Sequence, residues 1–205
     1  MLEQYDGKMV RIRDRWGKLL TGIAVSHCAE YIFHEYGVDE EGILINGILL
    51  YESCIDSIEE RPDIRVIHAT ETWQQAGAYY VRIQAMVKKH HITLRQEFDE
   101  HDGPDTKYIV VTEQEFPVAT ARMYPLDDRS MMIGRVVVLP EYRHQGLGTM
   151  VVSECEDWAE ELYFSTAVVE SRENKVGFYE QSGYEICGDA VDGETFRCIR
   201  MEKDL

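Results

Sequence analysis

The sequence contains no apolar run close to the ~20 residues that a membrane-spanning helix requires, and its start, "MLEQYDGKMVRIR", lacks the apolar stretch of a signal peptide. The cytoplasm is therefore the expected compartment, with no membrane partner. Cysteine offers no framework either. Cys28, Cys54, Cys155, Cys187 and Cys198 are odd in number and form no CxxC pair, a pattern of reduced thiols rather than of disulfides or a zinc site. His90 and His91 stand together with no third ligand at a suitable spacing, so no metal is expected. Positive charge is scarce: 21 Lys and Arg face 38 Asp and Glu, for a net charge of −17. A surface of that sign repels phosphate backbones and anionic lipid, which disfavours nucleic acid as the partner. Internal repeats and low-complexity tracts are absent as well.

What is present is a globular composition, 44% apolar and 29% charged over 205 residues, long enough for one ordinary domain and a small one. Residues 1–60 carry short β runs separated by turns: "KMVRIRD", "LLTGIAVSH", "AEYIFHEYG", "GILI", "ILLY" and "CIDSIEE". Asn46-Gly47 between two apolar runs is a strong hairpin signal. The rhythm predicts a five-stranded meander that closes on itself, since a sheet this small would otherwise expose its edges. With the phrase "YDGKMVRIRDRWGKLLTGIAV", this unit resembles the small SH3-like and Sm-like β-barrels. Sm-type barrels bind RNA, but positions 1–60 hold 5 basic and 12 acidic residues, so a packing or interaction module is the expected role.

"EERPD" at 59–63 is a charged, proline-containing break after which the grammar turns to mixed α/β. Residues 73–90 show helical spacing through Ala78, Val81 and Ala85. "KYIVVTE" and "FPVATARMYP" read as an antiparallel pair, and "MMIGRVVVLP" as a further strand. Leu147, Met150, Val151, Cys155, Trp158, Ala159 and Leu162 form one apolar stripe of a helix. "FSTAVVES" is a buried strand, "RENKVGFYEQSG" a helix closed by Gly183, and "TFRCIRMEKDL" a last strand.

The chemistry sits in "PEYRHQGLGTMVV", residues 140–152. The start of a helix leaves backbone N–H groups without partners and carries the positive end of the helix dipole, which together suit an anion. Gly146 and Gly148 remove side chains that would keep a pyrophosphate from those amides, Arg143 can close the loop or touch a phosphate, and Thr149 can add a hydroxyl. Neither a P-loop Gly-Lys-Ser/Thr nor a GxGxxG fingerprint is present.

The order of elements around that loop, with "VVVLPEYRHQGLGTMVV" and then "NKVGFYEQSGYE", resembles the GCN5-related N-acetyltransferase (GNAT) family over residues 64–205. Within it, "EFDEHD" at 97–102 and "GRVVVLPEYR" resemble the subgroup of uncharacterised bacterial acetyltransferases of the ElaA and YjcF type. The resemblance implies an α+β fold, a small N-terminal barrel at 1–60 being followed by a mixed sheet flanked by helices. It implies acetyl-CoA as cosubstrate and an amine, small-molecule or peptide, as acceptor, with a homodimer allowed. Val136, Val137 and Val138 would then offer main-chain groups to the pantetheine arm, where such sheets splay. Arg143, His144, Gln145, Gly146, Leu147, Gly148 and Thr149 would hold the pyrophosphate. Asn174 would contact the pantetheine region, and Tyr179 would protonate the departing thiolate.

The chain departs from the subgroup at "AMVKKH", 85–90, where Lys88 or Lys89 stands in place of an expected acidic residue. Glu97, Asp99 and Glu100, beside His101, form the pool from which a base for the amine would come. Their alternative role is a solvated turn. An acetyl transfer by direct attack is the leading reading; a non-catalytic acetyl-CoA or protein binder, with the barrel as its working surface, is the alternative.

Overall fold

A computed structural model describes residues 2–103, 106–192 and 196–205. The N-terminal sixty residues form β1 (Met9–Asp14), β2 (Leu19–Ile23), β3 (Val25–His27), α1 (Ala29–Tyr36), β4 (Gly42–Ile45), β5 (Ile48–Tyr51) and β6 (Ile55–Glu60). Asn46 and Gly47 both take positive φ, 50° and 71°, and join Ile45 to its partner Ile48, as the hairpin signal requires. The strands pair as two three-stranded sheets, β2-β1-β6 and β3-β4-β5. Val10, Ile12, Leu20, Ala24, Ile43, Ile45 and Leu50 fill one small core between them. The expected closed barrel is not drawn by these ladders, because among the described residues β5 and β6 do not pair and a 3-10 turn at Glu52–Cys54 separates them.

"AEYIFHEYG" is a helix rather than a strand. Only Ile32 of α1 is buried, while Tyr31, Phe33 and Tyr36 are exposed, so no alternating face exists for a sheet to bury. Gly37, left-handed at φ 71°, donates its N–H to Phe33 O and ends the helix.

The larger unit runs β7 (Ile64–Ala69), α2 (Thr72–Arg82), α3 (Leu94–Glu97), β8 (Lys107–Glu113), β9 (Phe116–Pro125), β10 (Ser130–Val138), α4 (Leu147–Glu161), β11 (Thr166–Arg172), α5 (Val176–Glu180), β12 (Glu185–Asp192) and β13 (Arg197–Asp204). Its seven strands lie in the order β12-β13-β11-β10-β9-β8-β7. The single parallel pair is β10–β11, which makes the sheet mixed. Side chains of a strand alternate between faces, and β8 shows the consequence: Tyr108 and Val110 pack with Ala78 of α2, whereas Ile109 and Val111 join Met150, Val151 and Cys155 of α4. One helix therefore covers each face. The predicted helix over 73–90 divides, since after Arg82 the chain continues as a π-helical turn, Ile83–Lys88. Over 172–183 only Val176–Glu180 is α-helical, after a 3-10 turn at Glu173–Lys175. Strand β12 had no signal, because six of its eight residues are exposed.

The loop that carries "EFDEHD" is anchored by charge. Arg82, fully buried at the end of α2, donates from Nε to Glu97 Oε1 (2.8 Å), from Nη2 to Glu97 O (2.5 Å) and from Nη1 to Asp102 Oδ1 (2.5 Å). Arg122 of β9 reaches Asp99 Oδ1 (2.5 Å) and Asp102 Oδ2 (2.8 Å), and Arg135 of β10 reaches Asp99 Oδ2 (3.0 Å). Tyr108 donates its hydroxyl to Asp102 at 2.7 Å. Burial alone would raise the Asp102 carboxyl, but the hydrogen bond and charge of Arg82, with Tyr108 and Arg122, bring it down to about 2. Asp99 is likewise lowered, against burial, by Arg122 and Arg135.

Removing one partner of a buried ion network leaves the others uncompensated, so Arg82→Ala should cost about 3–5 kcal/mol in urea unfolding. The Asp102 pKa is depressed in the folded state relative to an unfolded value of about 3.9. Its contribution is therefore complete above pH ~4 and fades as the pH falls toward ~2. Asp102→Asn should flatten the acid limb of the stability–pH curve in that window; an unchanged limb would show the network to be energetically silent.

Candidate active site

The centre of the sheet is open. β10 and β11 pair at Ser130–Thr166, Met131–Ala167 and Met132–Val168, and then part. Beyond that point each keeps its outer neighbour, β10 pairing with β9 to Val138–Ala119 and β11 with β13 to Arg172–Cys198. The parting coincides with a bulge: the β9–β10 register shifts between Gly134 and Val137, and Arg135 sits at φ 51°. Val136 and Val138 lean on the core beneath α4, while Val137 is buried on the other side with Val81, Ala85 and Leu139. The three valines predicted to face a ligand thus border the gap, with side chains on alternate faces.

The "YRHQGLG" loop closes the wide end of this gap. Arg143 donates from Nε to Val138 O at 3.1 Å and folds the loop back on the strand. His144 and Gly146 take positive φ, 60° and 83°. Helix α4 starts at Leu147, with Met150 N bonded to Gly146 O, so the amides of Leu147, Gly148 and Thr149 have no acceptor inside the helix. The two glycines differ in cause. A Cβ on Gly148 would meet only Phe178 at 3.5 Å and Val138 at 3.9 Å, ordinary contact distances. Nothing inside the fold demands glycine there, which fits a backbone kept bare for a ligand. A Cβ on Gly146 would lie 2.5 Å from Thr21 N and 2.8 Å from Leu20 Cα. Strand β2 of the N-terminal unit packs directly on the loop, and Thr21 adds a hydrogen bond from its hydroxyl to Gln145 O at 2.5 Å.

Tyr179, on α5, is buried, with Phe178 and Tyr184 edge-on at 4.9 and 5.6 Å. Burial, with Cys155 adding to it, pushes its phenol well up, so the hydroxyl keeps its proton at neutral pH. Among the described residues that hydroxyl has no hydrogen-bond partner. Asn174 is exposed in the 3-10 turn Glu173–Lys175. The carboxylates separate: Glu97 and Asp99 are committed to Arg82, Arg122 and Arg135, and only Glu100 is exposed in its turn. The guanidinium groups hold the Asp99 carboxyl below its usual range, and Glu97 and Asp99 both anchor the loop, a role that neither a base nor a solvated turn anticipated.

Sequence reasoning passed over Glu170 and Arg172. On β11, Ala167, Val169 and Ser171 are buried, the first two against α4, so alternation turns Glu170 and Arg172 to the opposite face. Two charges at i and i+2 in "TAVVESR" were the available signal. Glu170 is exposed and joins no ion pair among the described residues. No three His, Cys, Asp or Glu side chains group as metal ligands among the described residues, and no helix there is long and apolar enough to cross a membrane.

This arrangement has known counterparts. The sequence profile of the acetyltransferase (GNAT) family matches residues 64–184, more than half of the chain. The uncharacterised N-acetyltransferase YjcF of Bacillus subtilis is 26% identical over 126 residues, 62% of this chain and 89% of its own. A solved N-acetyltransferase-fold chain from Lactobacillus plantarum superposes with a TM-score of 0.66 at 27% identity, over 69% of this chain and 98% of that one. ElaA of Escherichia coli shares the fold, with a TM-score of 0.58 at 20% identity over 68% and 97%. The profile match begins after the N-terminal unit.

The two glycines generate a contrast that urea unfolding can read. Gly146→Ala, strained in φ and driven into β2, and Thr21→Val, which strands Gln145 O, should each cost about 1–3 kcal/mol. Gly148→Ala should be neutral or gain up to about 1 kcal/mol as a helix substitution. Equal losses at 146 and 148 would remove the distinction.

Proposed function

The chain belongs to the GNAT acetyltransferase family and is an acetyl-CoA-dependent acetyltransferase, and we propose that it acetylates a primary amine by direct attack within a ternary complex in the gap between β10 and β11. The observation that carries this reading is the parting of the two strands after three pairs, at the wide end of which lies a loop of free amides. Acetyl-CoA supplies an activated thioester and a pyrophosphate handle. The amides of Leu147, Gly148 and Thr149, with Arg143 alongside, hold the pyrophosphate; His144, Gln145 and Gly146 shape the loop that presents them. Val136, Val137 and Val138 give the pantetheine arm a strand edge to pair with, since β11 has left it, and Asn174 lies at the opposite rim.

The amine nitrogen attacks the thioester carbonyl carbon and the C–S bond breaks. Tyr179 donates the proton that the leaving sulfur takes up, a role that suits a phenol held protonated by burial. The proton lost by the ammonium goes to a base, and Glu170 is the carboxylate of this face that no cation holds. Glu97 and Asp99 do not fill that role, because their charge is already matched.

We take residues 1–60 and 64–205 as two units, the first a packing module whose β2 supports the phosphate loop. That placement weakens the alternative of a non-catalytic binder with this unit as its working surface, for β2 is covered by the loop it supports.

Acetyl-CoA should raise the melting temperature of the protein by mass action, and Gly148→Val should abolish the rise while the protein stays folded. In a thiol-release assay over an amine panel, Tyr179→Phe and Glu170→Gln should each lower kcat by about 10²–10⁴-fold with little effect on acetyl-CoA affinity. A fully active Tyr179→Phe would leave water as the proton source, and a fully active Glu170→Gln would return the base to Glu100 or solvent. Saturable acetyl-CoA binding without turnover of any amine would overturn the catalytic reading.

A further inference from the structure

Among the described residues Arg172 is a guanidinium without a counter-ion. It ends β11 at the mouth of the gap, half-buried, with its guanidinium 3.3 Å from the centre of the Phe196 ring and Nη2 3.5 Å from Met86 Sδ. No carboxylate lies within ion-pair distance of it among the described residues, in a chain where 38 acidic residues outnumber 21 basic ones. Glu97, the carboxylate that acts on Arg172, is already held by Arg82 and Arg135. The surroundings add positive charge: Arg172, Lys89, Arg143 and His91 all act on His90, whose ring stands edge-on to Phe196 at 5.7 Å.

The direction of the side chain decides what this charge is for. Ser171 and Val169 face the α4 side, where the phosphate loop and Tyr179 lie; Arg172 faces the other side, toward the π-helical turn that carries Met86. Such π-helical turns occur frequently at functional sites. A guanidinium half-removed from water and stacked on an aromatic ring is a planar, pre-oriented receptor for a carboxylate or phosphate. Burying it without a partner is unfavourable unless a ligand supplies one.

We propose that Arg172 receives the oxyanion of the acceptor, so that the amine acetylated by this protein carries a carboxylate or phosphate group a few bonds from its nitrogen. Lys88 or Lys89, standing where an acidic residue is expected at this helix end, favours the same sign of acceptor charge. The inference rests on the acetyl-transfer reading and names its substrate class.

The test measures kcat/KM by thiol release for matched amines: an amino acid, its methyl ester, and an amino-alkyl phosphate of the same length. The wild-type protein should prefer the charged members over the ester by about 10–100-fold, the usual worth of a hydrogen bond to a charged group, and the ratio of carboxylate to phosphate identifies the oxyanion. Arg172→Gln should bring charged and neutral amines to near parity while the KM for acetyl-CoA stays unchanged. Arg172→Lys should keep part of the preference, and its retention covers the case in which Arg172→Gln does not fold. Equal use of acid and ester by the wild-type protein would overturn the proposal. So would an Arg172→Gln whose acetyl-CoA KM rises while the acceptor preference persists, since the residue would then serve the cosubstrate. Absence of turnover with every amine, neutral ones included, would instead fail the acetyl-transfer reading and carry this inference with it.

Discussion

The early end of the β10–β11 ladder is the constraint on which the rest of the structure depends. Two adjacent parallel strands that stop pairing leave main-chain N–H and C=O groups without partners in the middle of a sheet, a costly state unless something else satisfies them. Here the opening is enforced. β11 stays bound to β13 as far as Arg172, and β10 stays bound to β9 as far as Val138, so neither strand is free to swing back. The bulge at Arg135 turns the end of β10 away at the point where the pairs cease.

Two separate devices hold the walls of that opening. On one face, Arg135 is drawn down by Asp99 and by Glu97 O, which ties the bulge to the ion network centred on buried Arg82. The "EFDEHD" segment is thereby tied to the bulge that opens the sheet. On the other, the loop before α4 is backed by β2 of the N-terminal unit, whose backbone approaches Gly146 too closely for any side chain there. Asn46 extends this support by donating to Thr21 O at 2.8 Å. The hairpin most legible in the sequence thus braces the strand that braces the loop.

Legibility followed the reach of each interaction. The helix from Leu147, the bare loop between it and β10, and the Asn46-Gly47 turn were readable because their causes lie within a few residues: apolar periodicity, unpaired amides, positive φ. α1 misled because its aromatic residues suggested a strand, whereas burial shows that almost none of them is needed by a core. The role of Glu97 and Asp99 was hidden, since their partners Arg82, Arg122 and Arg135 are 15, 23 and 36 residues away. Gly146 was read as a position kept bare for a ligand, whereas its contact with β2, across the chain between residues 21 and 146, by itself requires glycine. Arg172 was passed over for a related reason: what marks it is the absence of an acidic partner among the described residues, which only three-dimensional neighbours can reveal.

The two faces of the sheet divide the chemistry that the proposed reaction brings together. The phosphate loop, Phe178 and Tyr179 belong to the α4 face, and Glu170, Arg172 and the π-helical turn to the α2 face. In an intact sheet these groups would be separated by a layer of backbone. Where β10 and β11 part, that layer is missing, and a donor entering from one side can meet an acceptor entering from the other. Direct attack gains its rate from holding both reactants in one geometry, so the gap supplies more than a slot for a cosubstrate. In the proposed reaction the thioester lies in the plane of the sheet, between Tyr179 on one face and Glu170 on the opposite one.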